Sequence, residues 1–239
     1  MKKEKELSIV AIVIDNFEVT ERFVSSIRQY TKGNYEIILI DNASANKKSI
    51  NFIKKAADKS FRFNKRVSIA EAWNKGIKLS NGRFIAIVNN DVVVGPNWFP
   101  PLKETLIKHK KAGMVSPITF LMISGYFKWP GYLKKFNLKK PFKATKFKDV
   151  IWGEFCIFKR KALEDVVGYC ELYKGAGAED LDMSFSLYSK GYEILVDPRV
   201  FLYHQGGASH KFAKDFFKGN AINFKLFKSR WPKYTKGWR

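Results

Sequence analysis

Three short apolar runs, each ending at an acid or an amide, constrain what this chain can fold into more than any other feature. Leu7-Ser-Ile-Val-Ala-Ile-Val-Ile14 leads into Asp15, residues 35–40 lead into Asp41, and Phe84-Ile-Ala-Ile-Val88 leads into Asn89-Asn90-Asp91. Near-continuous apolar runs rich in β-branched residues mark strands buried on both faces, as in a parallel sheet. Between them the apolar residues fall at helical spacing: Val19, Phe23, Val24, Ile27 and Tyr30, then Ile50, Ile53 and Ala57, then Ala72, Trp73 and Gly76. Gly33 and Asn81-Gly82 supply stops before the next strands. The alternation over the first ~120 residues predicts an α/β chain with an open, mostly parallel central sheet and helices on both faces.

Beyond residue 119 the pattern breaks into aromatics, Pro, Gly and lysines up to 149, an irregular excursion. Order resumes with an expected strand over 151–158, a helix over 159–167, a helix over 181–190 opened by Gly175-Ala-Gly-Ala178, and extended pieces over 193–196 and 200–203. The length, 239 residues, fits one large domain. We divide it into a main domain over 1–209 and a basic, aromatic C-terminal tail over 210–239, expected to be helical.

Two cysteines, Cys156 and Cys170, make neither a disulfide framework nor a four-cysteine metal site, and a reduced, cytoplasmic chain is the expectation. The first apolar run is too short for a signal sequence and has no small-residue cleavage pattern. No run of about 18 apolar residues is present to span a membrane. With 44 basic against 22 acidic residues the chain carries a formal charge of +22, which calls for an anionic partner. The charge concentrates in seven lysines over 134–148 and nine basic residues over 211–239, both interleaved with aromatic rings. Such segments suit the inner face of an anionic membrane, with rings at the headgroups and lysines on the lipid phosphates. The same composition grips nucleic acid, but acids gathered at strand ends would repel a phosphate backbone.

In a parallel sheet the strand ends share one edge, where open α/β folds bind ligands. Asp15, Asp41 and Asp91 therefore converge, although turns favour Asp and Asn for local reasons too. Glu179-Asp180, next to a helix start, has a similarly plain explanation in capping and the helix dipole. Gly175-x-Gly177 is no dinucleotide fingerprint, because the third glycine is missing and the acid pair would repel a pyrophosphate. Asp182 is expected to be solvated or capping, and Cys156 to be a packed thiol.

Taken in order, the strand into Asp15, Glu-Ile-Ile-Leu-Ile-Asp41-Asn42, Asn64 to Gly76 with Asn74-Lys-Gly76, Asn89-Asn90-Asp91, Gly177-Ala-Glu179-Asp180 and Tyr203-His204 resemble the nucleotide-sugar glycosyltransferases of family 2, which have the Rossmann-like GT-A fold. The resemblance runs over about residues 7–205, and the Asn-Asn-Asp form with the Trp231-Pro232 tail is similar to rhamnosyltransferase-like members. It implies an inverting transfer of a sugar from a nucleotide-diphosphate donor to an acceptor hydroxyl on a glycan or lipid-linked saccharide, as in polysaccharide biosynthesis. The donor side would lie over 7–118 and the acceptor side over 119–209. Asp15 and Asp41 would meet the base and ribose, with Asn74, Asn90, Asp91, Trp152 and Gly153 also at the donor. Asp91 and His204 would hold a divalent metal, manganese or magnesium. Asp180 would be the general base, with Glu179 positioning the acceptor. Asn89 departs from the family's usual Asp-x-Asp, and an amide brings no negative charge to such a cation. That change leaves room for a catalytically silent glycan- or partner-binding relative.

Overall fold

The computed structural model describes residues 4–119, 137, 139–143, 153–206 and 220–236. Strand β1 (Lys5–Val13) is followed by helix α1 (Phe17–Tyr30), β2 (Tyr35–Asp41), α2 (Lys47–Ala56), β3 (Lys59–Arg62), α3 (Ile69–Leu79) and β4 (Gly82–Val88). These four strands lie parallel in the order β3-β2-β1-β4. Strand β1 shows why its sequence is continuously apolar. Ile9, Ala11 and Val13 face a core shared with Phe23 and Ile27 of α1, while Val10 and Ile12 face a second core shared with Trp73 of α3. Ser68 caps α3 by accepting the Glu71 N–H, and Asn46 caps α2 in the same way, so both helix starts are fixed by side chains.

The register carries the strand-end prediction. Val13 pairs with Asp41 and Val10 with Ile87, so Asp15, Asp41 and the 89–91 segment emerge at one edge of the sheet. After the short β5 (Val92–Val93) come α4 (Phe99–Lys108) and β6 (Ala112–Thr119), two elements the sequence pattern did not single out. The sheet continues from β4 through β8 (Phe155–Lys159), antiparallel to both its neighbours, to β6 and then to β9 (Glu193–His204), with β5 and β7 (Phe142–Lys143) both antiparallel to β9.

Several expected boundaries shift. The strand expected over 151–158 begins at Phe155, with residues 153 and 154 in a turn. The helix that follows it, α5, spans Arg160–Asp165. The two extended pieces after residue 193 are one strand, β9. Its pairing jumps from Pro117↔Asp197 to Ile118↔Phe201, and the bulge around Pro198 is what made it read as two. Of the lysine-rich stretch, only residues 137 and 139–143 are described.

Helix α6 (Glu179–Ser189) is covered on two sides. Met183 and Leu187 join the sheet core, whereas Leu181 and Phe185 join Tyr173 and Phe227 in a separate apolar cluster. Phe227 comes from the tail, where α7 (Asn220–Arg230) and α8 (Pro232–Thr235) form. The rings of Phe227, Trp231 and Tyr234 all meet Phe185, with centroids 5.2–5.8 Å away. This part of the tail therefore buries Phe227 and packs Trp231 beside it, while Tyr234 stays 49% exposed. Residues 207–219 lie outside the described residues.

Glycine at position 76 lets α3 sit directly on β1, because a Cβ there would collide with the Val10 side chain. Overpacking of this kind costs about 1–3 kcal/mol. We expect Gly76→Val to lower the urea midpoint by that amount of stability at unchanged denaturant slope, and a midpoint equal to that of the parent would contradict the packing.

Candidate active site

At the end of β1, Asp15 sits in the left-handed region at φ 53. Its N–H donates to Ser44 Oγ at 2.9 Å and its carboxylate accepts the Asn46 N–H at 2.7 Å. Asp41, 1% exposed, accepts the Ser44 N–H at 2.8 Å through one oxygen and pairs with the Arg62 guanidinium through the other. The two acids thus close the loop between β2 and α2 around Ser44. Arg62, which the sequence reading passed over, also donates to the Ser44 carbonyl at 2.8 Å. Any contact from Asp41 to a ribose has to compete with Arg62.

Asn74 lies on α3, away from the expected donor contacts in one respect: both of its amide protons are used elsewhere. Its Nδ2 donates to the Tyr169 carbonyl and to Glu171 Oε1, each at 2.8 Å, and its Oδ1 accepts the Tyr169 N–H at 2.8 Å. The structure makes it a clamp for the loop after α5. Asn90 is buried and donates to Thr20 Oγ1 at 2.9 Å, tying the 89–91 segment to α1. Trp152 lies outside the described residues.

The chemistry gathers farther along the same edge. Asp91 follows β4, and His204 ends β9, where it pairs with Val92. Their side chains approach to 2.9 Å, Nε2 to Oδ1. Both are buried, yet His204 Nε2 makes no hydrogen bond among the described residues. The other ring nitrogen, Nδ1, lies 2.9 Å from Glu154 Oε2, and Glu154 in turn accepts the Thr119 hydroxyl. A carboxylate on one ring nitrogen fixes the tautomer that leaves the other free for a cation, a recurrent arrangement around metal-binding histidines. A buried imidazole nitrogen and carboxylate oxygen facing each other at 2.9 Å fit a divalent metal that would take Asp91 and His204 as protein ligands, in place of the His204–Asp91 pairing. Among the described residues no group of three or more His, Cys, Asp or Glu is placed for an ion.

Glu154 adjoins Gly153, whose N–H donates to Asp180 Oδ2 at 3.0 Å. A Cβ at position 153 would lie 3.2 Å from the Asp180 Cβ, a contact tighter than side chains normally tolerate. Asp180 also accepts the Leu181 N–H at 2.8 Å, and Glu179 accepts the Gly177 N–H at 2.6 Å. Both acids lie in the first turn of α6, which begins two residues earlier than the sequence pattern suggested. Burial pushes the Asp180 carboxyl up; the Gly153 and Leu181 N–H groups pull it back, and the Glu154 charge adds to the rise. Burial, then the charge of Asp180, raises Glu179 likewise. Asp182, expected to be solvated or capping, is 1% exposed. Its Oδ1 accepts hydrogen bonds from Tyr173 Oη at 2.9 Å, Arg230 Nε at 2.7 Å and Trp231 Nε1 at 2.7 Å.

The sheet order and the single antiparallel strand beside β4, with acids on the edge beyond β4 and at the start of α6, define the GT-A type of α/β fold. Residues 8–167 match Glycosyl transferase family 2, well over half of the chain, and the chain belongs to that family. Among solved structures it is similar to GalNAc-T7 with UDP, GalNAc and Mn2+ (TM-score 0.75, 16% identity, covering 98% of this chain and 50% of that one). It is also similar to the mannosyltransferase PcManGT from Pyrobaculum calidifontis in complex with GDP-Man and Mn2+ (0.68, 15%, 99% and 71%). A third similar structure is S. aureus TarS 1-349 (0.65, 11%, 98% and 73%). At these identities the likeness is one of fold. The protein y4gI of Sinorhizobium fredii is 23% identical over 232 residues, which are 85% of this chain but only 25% of that protein's length.

Burial opposes a charge on His204, but the flanking Asp91 and Glu154 carboxylates outweigh it and push its pKa up to about 9. The folded value lies above the ordinary 6.5, so the stabilisation is complete below 6.5 and is lost as pH rises through 9. In chelator, the stability advantage of the parent over His204→Gln should shrink across that window by up to about 1.4 kcal/mol per pH unit. Urea melts at pH 6.5, 7.5 and 9 measure it, and a constant advantage would refute the charge pairing.

Proposed function

We propose that this chain transfers a sugar, with inversion, from a nucleoside diphosphate donor to an acceptor hydroxyl. The observation that carries the reading is the Gly153-Glu154 turn, which touches both halves of the chemistry: its N–H holds Asp180, and its side chain orients His204 beside Asp91. The donor nucleoside would lie at the loop closed by Asp15 and Asp41, with the diphosphate at Asp91. A divalent cation held there by Asp91 and His204 would supply positive charge for the departing diphosphate.

Asp180 does the proton work. Its carboxylate takes the proton of the acceptor hydroxyl as that oxygen bonds to the anomeric carbon, while the carbon–oxygen bond to the diphosphate breaks on the opposite face. The raised pKa suits a base that must accept a proton during the step. Glu179, raised as well, is matched to holding the acceptor by a hydrogen bond. The net charge of +22 supports an acceptor on a glycan or lipid-linked saccharide at an anionic membrane surface. No helix among the described residues is long and apolar enough to cross a membrane.

The first test is a panel of nucleotide sugars and acceptors read by mass spectrometry. Asp180→Asn should cut transfer about 10²–10⁴-fold while donor affinity stays within about twofold, since the base acts on the acceptor. Wild-type transfer by that variant would remove Asp180 from the role.

For the metal side, calorimetry with manganese and donor should show Asp91→Ala losing more affinity than His204→Ala, because Asp91 brings the negative charge. Glu154→Gln, which keeps the shape but not the charge behind His204, should cost about 10–100-fold in metal affinity. Donor binding indifferent to chelator in the parent would contradict this assignment.

A further inference from the structure

We infer that the C-terminal segment, through Asn223 and the Arg230-Trp231 pair, positions the acceptor-activating acids. This rests on the reading of Asp180 as the base and adds to it the residues that hold that base in place.

The loop before α6 is made of backbone that does not hold its own shape. Gly175, Gly177 and Ala178 have φ of 61, 109 and 71, all in the left-handed region, and for Ala178 that conformation is strained. Such backbone persists where surrounding contacts over-determine it. Among the described contacts, the main one comes from Asn223 on α7, a side chain only 1% exposed. Its Oδ1 accepts the Lys174 N–H at 3.0 Å; its Nδ2 donates to the Lys174 carbonyl at 2.8 Å and the Gly177 carbonyl at 2.9 Å, with the Ala176 carbonyl at 3.4 Å. The same Gly177 donates its N–H to Glu179. One amide from 46–49 residues downstream thus spans the loop that presents the acid pair.

The second hold is on Asp182, one position short of a turn beyond Glu179 on α6. Arg230 and Trp231 approach it from the tail and Tyr173 from the loop, so three side chains from two segments meet on one carboxylate oxygen. With the Phe185 ring cluster, this fixes the axial and rotational setting of α6. The setting matters because the Gly153 N–H reaches Asp180 only while that carboxylate stays beside the glycine. Asn223 touches no reacting atom in this scheme and is a positioning residue.

The experiment pairs hydrogen exchange with kinetics. In Asn223→Ala, the Lys174 and Gly177 amides should exchange at least about tenfold faster while β1 and β4 amides keep their protection. Acceptor-dependent kcat should fall about 10–100-fold, as expected from a base displaced by an ångström or less, with donor affinity and acceptor-free donor hydrolysis within about twofold. Asn223→Asp keeps an acceptor for the Lys174 N–H but loses the donations to the Lys174, Ala176 and Gly177 carbonyls, so the Lys174 amide should keep its protection while the Gly177 amide, freed with its loop, exchanges faster. Ile222→Ser, at a side chain 71% exposed on the same helix, should match the parent in every measurement. Unchanged exchange at Gly177 in Asn223→Ala would overturn the inference, as would equal losses in hydrolysis and transfer. Full transfer by Asp180→Asn would instead overturn the base assignment, and the exchange data would still decide whether Asn223 holds the loop.

Discussion

The turn at Gly153-Glu154 is the contact on which the site depends. One peptide group and one side chain there reach two elements that otherwise do not need each other, the start of α6 and the end of β9. The position follows from the antiparallel strand β8, which inserts between β4 and β6 and delivers residues 153 and 154 to the edge where the parallel strands finish. A parallel strand there would have brought its other end to this edge. The reversal of one strand is therefore what brings one turn within hydrogen-bond reach of both Asp180 and His204.

The parts legible in the sequence were those that local rules determine. Apolar runs gave β1, β2 and β4, and because parallel register aligns strand ends, Asp15, Asp41 and Asp91 could be placed on one edge without knowing any long-range contact. Glu179, Asp180 and His204 were recognisable because they stand in a motif order, but the order says nothing of the distances between them. Glu154 was invisible: its partners lie 35 and 50 residues away on other strands, and a lone Glu after Gly carries no local pattern. Asn223 was hidden in the same way within a segment whose nine basic residues read as a surface for an anionic partner. Asp182 misled for the opposite reason, since acids in a first helical turn are usually explained by the dipole; its burial depends on a tail that closes over it from the end of the chain.

Among the described residues, several buried acids are met by a cation. Glu36 has Lys59, Asp41 has Arg62, Asp182 has Arg230 and Asp197 has Arg199. Each is a structural pair, in which removing one partner would strand a charge in the interior. Glu179 and Asp180 differ: among the described residues their hydrogen-bond partners are backbone N–H groups, and no Lys or Arg lies against them. Asp91 and Glu154 share one histidine between them. For Glu179 and Asp180, burial without a cation against them among the described residues shows as raised carboxyls. Among the described residues, no Lys or Arg pairs with the acids proposed to take up a proton. An arginine beside Asp180 would favour the ionised carboxylate and leave it too weak a base to draw a proton from a hydroxyl.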